Sequence, residues 1–251
     1  MTTPLSAGKG GYFASSRAPR YSILFALPLL ILYEGLAALL ETPEGGMRNG
    51  ADALFRGAFS AAAGVHGPVI FMTAIVLLGV GLVARDMRRQ REPLRGMYFL
   101  GMSAESVLLA IAFGLVIGTV TAQLLGAVNL MAVGAPVDLA QMPWSTRLML
   151  SLGAGLYEEL FFRVVVVSGL TALGAGVLGW SKRTAVLVAV VVSAFVFSAF
   201  HYIPPYGDQL EIASFTFRFL SGLAFSVLYV VRGFGITAWT HALYDVFVLL
   251  F

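Results

Sequence analysis

Two adjacent glutamates, Glu158 and Glu159, lie inside an otherwise apolar stretch of the chain, and Arg163 follows four residues after the second. A carboxylate inside a bilayer is costly, and it persists where it faces a charged partner, a cavity or a reaction. Successive residues of a helix point about 100° apart, so the two carboxylates cannot face one point equally. We therefore expect one glutamate to act as a general base on water and the other to pair with Arg163.

Two later apolar segments each carry a histidine that lies four residues from another candidate residue. His201 follows Phe197, and Asp245 follows His241. An aspartate one helical turn after a histidine can accept a hydrogen bond from the imidazole and fix its tautomer. Each pair has an ordinary alternative, since His201 could be an interfacial histidine and His241 with Asp245 a structural polar clamp. Together with the glutamates, they predict catalysis within the membrane.

Two further charged residues lie in apolar segments and are weaker candidates. Glu34, in the first segment, could support the site or pin helices together, and we expect the structural use. Arg218, in the sixth segment, could neutralise a buried carboxylate or extend its charged end to the membrane surface. Phe197 is a candidate supporting residue through its spacing from His201.

The composition indicates how these residues are positioned. The chain has 251 residues, of which 59% are hydrophobic and only 12% charged, whereas about a quarter of a soluble domain is charged. This predicts an all-α, polytopic transmembrane helical bundle. Seven segments are long enough to cross a bilayer, or eight if the third breaks in two: 21–40, 66–84, 96–128, 146–170, 184–203, 212–231 and 233–251. Segment 51–64 is too short and mixed to span, and we expect it at the interface.

The distribution of charge predicts the domain organisation and the orientation. Residues 1–20 are polar and glycine-rich and are predicted to form a disordered cytoplasmic tail, while 21–251 form one transmembrane domain with its motifs at 146–251. Arginines are concentrated between the second and third spans, and acidic residues occupy the alternate loops, so the tail and the arginine-rich loop are predicted to be cytoplasmic. Short loops and an Ala-, Gly-, Val- and Arg-rich composition indicate a bacterial inner-membrane protein. We expect no nucleic-acid partner.

Several other mechanisms lack the residues they need. The chain has no cysteine, which excludes disulfides, a thiol nucleophile and cysteine metal sites. It has no His-Glu-x-x-His zinc motif and no Gly-x-Ser-Gly stretch for a serine nucleophile. Tyr244-Asp245 looks like half of an aspartyl pair, but no Gly-x-Gly-Asp partner accompanies it.

Three motifs follow one another on separate apolar segments: Glu158-Glu159-x-x-x-Arg163, Phe197-x-x-x-His201 and His241-x-x-x-Asp245. In this order they resemble the motifs of the CPBP family, the group of the CAAX prenyl proteases of type II that is also called ABI. The resemblance covers about residues 146–251. It implies an all-helical intramembrane endopeptidase of glutamate type, which hydrolyses a peptide bond in a membrane-associated protein or peptide.

The resemblance also implies roles for the motif residues. Glu158 with His201 would activate the hydrolytic water, and Glu159 with Arg163 would orient that pair. His241 and the residue at 245 would stabilise the oxyanion. The eukaryotic prenyl proteases carry asparagine at that last position, whereas this chain has Asp245. An ionised aspartate cannot donate to an oxyanion, so Asp245 would either orient His241 or donate in its protonated form.

The family resemblance favours a site without a cofactor, although zinc held by Glu158, His201 and His241 stays an alternative. The expected partners are the bilayer, a membrane protein or peptide substrate, and a protein that could present the substrate. Two other functions stay open. One is a non-catalytic membrane scaffold or immunity protein, and the other is a proton-coupled transporter, although the chain lacks the internal repeat common in transporters.

The predicted spans place the candidate residues at different depths. His201 falls near the outer face, Glu158 near the middle and His241 nearer the cytoplasm. A hydrolytic site requires that they converge. Tilted or broken helices would bring them together.

Overall fold

The computed structural model describes residues 11–42, 46–125, 142–203 and 207–250. Its regular elements there are helices, as the composition predicts. The α-helices are α1 Tyr12–Ser16, α2 Pro19–Leu39, α3 Gly50–Ala63, α4 Gly67–Gln90, α5 Gly96–Leu125, α6 Trp144–Gly153, α7 Ser168–Gly176, α8 Lys182–Phe200, α9 Ile212–Arg232 and α10 Phe234–Leu250. A 3₁₀ turn joins α3 to α4, and two π-helical stretches, Ala154–Glu158 and Leu160–Val167, join α6 to α7.

Among the described residues, six helical stretches are long and apolar enough to cross a membrane: Pro19–Leu39, Gly50–Gln90, Gly96–Leu125, Trp144–Gly176, Lys182–Phe200 and Ile212–Arg232. Helix α10 is apolar but shorter. Each of the seven predicted spans falls on one of these seven elements, which confirms the polytopic helical bundle. Helix α5 is unbroken over its 30 residues, so the third predicted span is a single helix over the part of it that the structure describes.

Residues 11–20, which the sequence places in a disordered tail, are folded against the bundle. Arg232 of α9 forms an ion pair with Glu105 of α5 at 2.5 Å, and its guanidinium also donates to Ser16 Oγ at 3.0 Å. Tyr12 donates to the same Glu105 carboxylate at 2.6 Å. Burial and that carboxylate raise the pKa of the Tyr12 phenol to about 12, so it stays a neutral donor. These bonds hold α1 in place, and residues 1–10 lie outside the described ranges.

Helices α3 and α4 form a hairpin whose turn depends on glycine. Gly64 has a φ of +59°, in the left-handed region that glycine adopts readily. Gly67 lies against the backbone of Ser60, where no side chain would fit. The beginning of α3 is buried, since Asp52 is 0% exposed. Segment 51–64, which we expected at the interface, forms α3, and the first turn of this helix is buried in the protein.

A cluster of four charged residues holds the first turn of α3 in the interior. Asp52 binds Arg48 at 3.1 Å and Arg56 at 2.6 Å. Glu34 of α2 binds the same two arginines at 3.0 and 2.6 Å and accepts a hydrogen bond from Tyr157 at 2.7 Å. The Glu34 carboxylate thus joins α2, α3 and the first π-helical stretch. This is the structural use expected for Glu34 from the sequence.

Helix α10 approaches the first π-helical stretch through a glycine. A Cβ atom on Gly155 would lie 2.5 Å from Ala242 Cβ and would also collide with the carbonyl oxygen of Ala238. Ala238 and Ala242 are themselves small and buried, at 0% and 1% exposure. Small residues on both helices permit this close contact. It places His241, on the same part of α10, beside the glutamates.

We expect Gly155→Ala to destabilise the protein, because the added methyl group meets backbone that cannot move independently. Overpacking of this kind typically costs about 1–3 kcal/mol. Scanning fluorimetry of the purified protein in detergent should show a Tm several degrees below that of the wild type. Gly169→Ala is the matched control, since Gly169 lies in α7 with open space around it. A wild-type Tm for Gly155→Ala would contradict the importance of this contact.

Candidate active site

The helix that carries the two glutamates is wound more loosely than an α-helix around them. Its π-helical stretches run from Ala154 to Glu158 and from Leu160 to Val167. Such stretches are rare and often occur at functional sites. Glu158 is 7% exposed and Glu159 0% exposed. Their carboxylates have different partners, as adjacent positions on a helix predict.

The Glu158 carboxylate lies between Asn49 and His201. Asn49 Nδ2 donates a hydrogen bond to Oε1 at 2.8 Å. The other oxygen, Oε2, is 3.9 Å from His201 Nε2. This distance is too long for a direct hydrogen bond, whereas a water molecule can bond to two polar atoms that are this far apart.

His201 comes directly after the last residue of α8, and its ring orientation is fixed by the preceding turn. Its Nδ1 is 2.8 Å from the carbonyl oxygen of Phe197. A carbonyl oxygen can only accept, so the hydrogen lies on Nδ1, and Nε2 is left as an acceptor directed toward Glu158. The Phe197 ring also packs edge-on against the imidazole, with centroids 4.9 Å apart. Phe197 thus supports His201 through its backbone and its side chain.

The Glu159 carboxylate connects His241 and Arg163. Its Oε1 accepts a hydrogen bond from His241 Nδ1 at 2.7 Å. Its Oε2 lies 3.1 Å from Arg163 Nε, the ion pair that the spacing predicts. Arg163 is 0% exposed, and its guanidinium packs on the ring of Phe197 at 4.6 Å from the centroid. None of its three guanidinium nitrogens forms a hydrogen bond among the described residues, so its contact with Glu159 is an ion pair without a hydrogen bond.

His241 has a carboxylate at each ring nitrogen, but only one of them forms a hydrogen bond. Asp245 Oδ2 is 3.6 Å from Nε2, which is too long. We expected Asp245 to accept a hydrogen bond from His241. In the structure the acceptor is Glu159, which binds Nδ1 of His241. Phe225 of α9 stacks on the His241 ring with centroids 4.4 Å apart and planes at 20°. Phe225 and Glu159 together fix the plane of this imidazole.

Arg218 binds Asp208 in the loop after α8. It also packs on the Tyr202 ring, 5.2 Å from the centroid. The backbone N–H of Asp208 donates to the carbonyl oxygen of His201 at 2.9 Å. Arg218 therefore pairs with a carboxylate that is partly exposed and not buried, and it supports the loop that follows His201.

The residues predicted at three depths converge in the structure. His201 lies against Glu158, and His241 contacts the neighbouring Glu159. Asn49 and Phe225 complete the surroundings and were not identified from the sequence. Asn49 precedes a short helix, which is a recognisable capping position, but no sequence signal connects it with Glu158. Phe225 is one aromatic residue among many in an apolar span.

The proposed zinc ligands are divided between the two carboxylates. His201 faces Glu158, while Nδ1 of His241 is bonded to Glu159. Within residues 11–42, 46–125, 142–203 and 207–250, no group of three or more His, Asp or Glu side chains is arranged to hold a metal ion. Zinc held by Glu158, His201 and His241 stays a hypothesis.

Comparison with known proteins connects this geometry with a family. Residues 140–247 match the family model of the type II CAAX prenyl endopeptidases, Rce1-like. This range includes all three motifs, whereas Asn49 and Glu34 lie before it. No curated protein and no solved structure was found to match the chain. Residues 140–247 of this multi-pass membrane protein are therefore similar to the Rce1-like type II CAAX prenyl endopeptidase family.

Proposed function

We propose that the protein is an intramembrane endopeptidase that hydrolyses a peptide bond of a membrane-associated protein or peptide, with water activated by Glu158 and His201. One observation carries this proposal. Glu158 Oε2 and His201 Nε2 face each other at 3.9 Å, and the Phe197 carbonyl leaves Nε2 free to accept a proton. A water about 2.8 Å from both atoms would have a proton acceptor on each side.

The proposed reaction begins when the oxygen of this water bonds to the carbonyl carbon of the scissile peptide. The Glu158–His201 pair takes the released proton, and the carbonyl electrons move onto oxygen to form an oxyanion. The C–N bond then breaks, and the same pair returns the proton to the leaving nitrogen. The products are a carboxylic acid and an amine, and no cofactor is needed in this scheme.

His241 and Asp245 are the proposed donors to the oxyanion. The Nδ1 hydrogen of His241 is directed to Glu159 at 2.7 Å, so Nε2 can donate only when the ring carries a second proton. The carboxylates of Glu159 and Asp245 lie on both sides of such an imidazolium. Asp245 itself can donate only as a carboxylic acid. Preorganised donors at a developing oxyanion are typically the largest contribution to such catalysis.

Arg163 and Glu159 are proposed to position the donor side of the site and not to contact substrate. Arg163 is fully buried against Phe197 and Glu159. Its charge offsets the second of two adjacent carboxylates, which would otherwise repel each other in a medium of low dielectric constant. The expected partners are the bilayer and a membrane-bound substrate, which a second protein could present.

We expect Glu158→Gln to lower kcat/KM by about 10²–10⁴-fold, the usual contribution of a positioned acid–base group. His201→Ala should have an effect of similar size, because it removes the other acceptor. The measurement uses purified protein in lipid nanodiscs and two internally quenched probes. One is a farnesylated peptide that ends in a CAAX sequence, and the other is an apolar membrane-spanning peptide without a prenyl group.

Glu211→Gln is the control for these variants, since Glu211 lies in the loop before α9 and its side chain is exposed. Full cleavage by the Glu158→Gln protein would exclude the glutamate mechanism for that probe. If the folded wild type cleaves neither probe, the non-catalytic scaffold gains support. Proton flux into liposomes that depends on Glu158 would instead support the transporter.

We expect Asp245→Asn to stay within about tenfold of the wild type in kcat, because an amide can donate to an oxyanion without a bound proton. Asp245→Ala should lose about 10²–10³-fold in kcat, as removal of an oxyanion donor does elsewhere. Both variants are measured with whichever probe the wild type cleaves. Equal activity of Asp245→Ala and the wild type would remove position 245 from the proposed donors.

We further propose that the protein lies in a bacterial inner membrane with its N-terminus in the cytoplasm. The chain contains no cysteine, so a cysteine introduced at one position is the only thiol that a maleimide can label. In spheroplasts, a membrane-impermeant maleimide should label Gln209→Cys in the loop before α9. Arg89→Cys at the end of α4 should react only after permeabilisation, and the cysteine-free wild type is the control. The reverse pattern of labelling would contradict this orientation.

A further inference from the structure

We propose that Asn49 is a positioning residue for the reaction, and that its amide fixes the orientation in which the Glu158 carboxylate faces His201. This inference rests on the proposed function. It concerns a residue outside the range 140–247 that matches the family model. Asn49 is the residue before α3, and its Nδ2 donates to Glu158 Oε1 at 2.8 Å. The donor comes from the first half of the chain and reaches the carboxylate across 109 positions of sequence.

The orientation of the Asn49 amide is fixed by the helix that it caps. Its Oδ1 accepts the backbone N–H of Ala51 at 2.9 Å. Because the oxygen side of the amide is occupied by the backbone of α3, the NH₂ side must face Glu158. The backbone N–H of Asn49 donates to the hydroxyl of Tyr33 at 3.1 Å. Tyr33 in turn donates to Asp52 at 2.9 Å, which connects Asn49 to the charged cluster described above.

The packing around Asn49 leaves it little freedom to move. It is 7% exposed. A Cβ atom on Gly153 would lie 2.9 Å from Asn49 Cβ and would also collide with the Tyr33 ring. Gly153 is the last residue of α6, directly before the first π-helical stretch. The helix of the glutamates and the first turn of α3 therefore approach so closely that a methyl group would separate them.

The Asn49 amide restricts the orientation of the Glu158 carboxylate. Oε1 of Glu158 is bound by Asn49, so Oε2 is the oxygen that remains directed toward His201 Nε2. Without the amide, the buried Glu158 carboxylate would lose one hydrogen-bond donor, and it could rotate about its Cγ–Cδ bond. A misplacement of about 1 Å can reduce a reaction rate by about 10²-fold. Capping α3 does not require the NH₂ group, since serine and aspartate cap helices as well as asparagine does.

The test separates the two roles of the Asn49 side chain: its oxygen caps α3, and its NH₂ group donates to Glu158. Asn49→Ser keeps a capping oxygen but has no group that reaches Glu158. We expect it to lower kcat at least tenfold while KM stays within twofold of the wild type, measured with the probe that the wild type cleaves. Asn49→Asp also keeps the cap, but it places an acceptor against Glu158 and should lower kcat further. Asn49→Ala, which loses the cap as well, should have a lower Tm than Asn49→Ser.

A measurement that does not depend on activity accompanies the kinetics. Asn49→Ser should lower the Tm by more in the wild type than in a Glu158→Ala background, because only the former contains the hydrogen bond. Wild-type kcat for Asn49→Ser would overturn the proposal, and so would a rise in KM with unchanged kcat. If the wild type cleaves neither probe, the proposed function fails. A Tm coupling found in that case would assign Asn49 a structural role and overturn the positioning role.

Discussion

Glu158 and Glu159 are neighbours in sequence, and both are buried in the interior of a membrane protein. Burying a charge is tolerated only when it is paired and hydrogen-bonded, so each carboxylate needs its own partners on its own side of the helix. Asn49 and His201 surround the first, while Arg163 and His241 surround the second. The packing of the helices near the site brings these four side chains next to the two glutamates.

Glycine makes this convergence geometrically possible. Gly153 lets Asn49 and Tyr33 approach one side of the glutamate helix, and Gly155 lets α10 approach another. With a larger residue at either position, the partner helix would lie farther away, and a bond of 2.7–2.8 Å to a carboxylate could not form. The loose π-helical winding of the same segment accompanies these contacts.

The two halves of the chain contribute differently to the site. The motif residues all lie within residues 140–247, the range that matches the family model. The first half contributes a donor to Glu158 and a charged cluster of Glu34, Arg48, Asp52 and Arg56 that holds this donor in place. The cluster balances two acidic against two basic side chains. It can therefore enter the protein interior without adding net charge near the glutamates.

The sequence by itself determined the helical, polytopic character of the protein, because length and hydropathy of apolar segments depend on local composition alone. It also predicted the ion pair of Glu159 with Arg163, since residues four apart on a helix are neighbours. Only the tertiary structure decided which nitrogen of His241 is bonded to Glu159 and that Asn49 reaches Glu158. The burial of the first turn of α3 likewise follows from packing. Contacts between residues about a hundred positions apart depend on how whole helices pack against each other. The local pattern of apolar and polar residues contains no information about that packing.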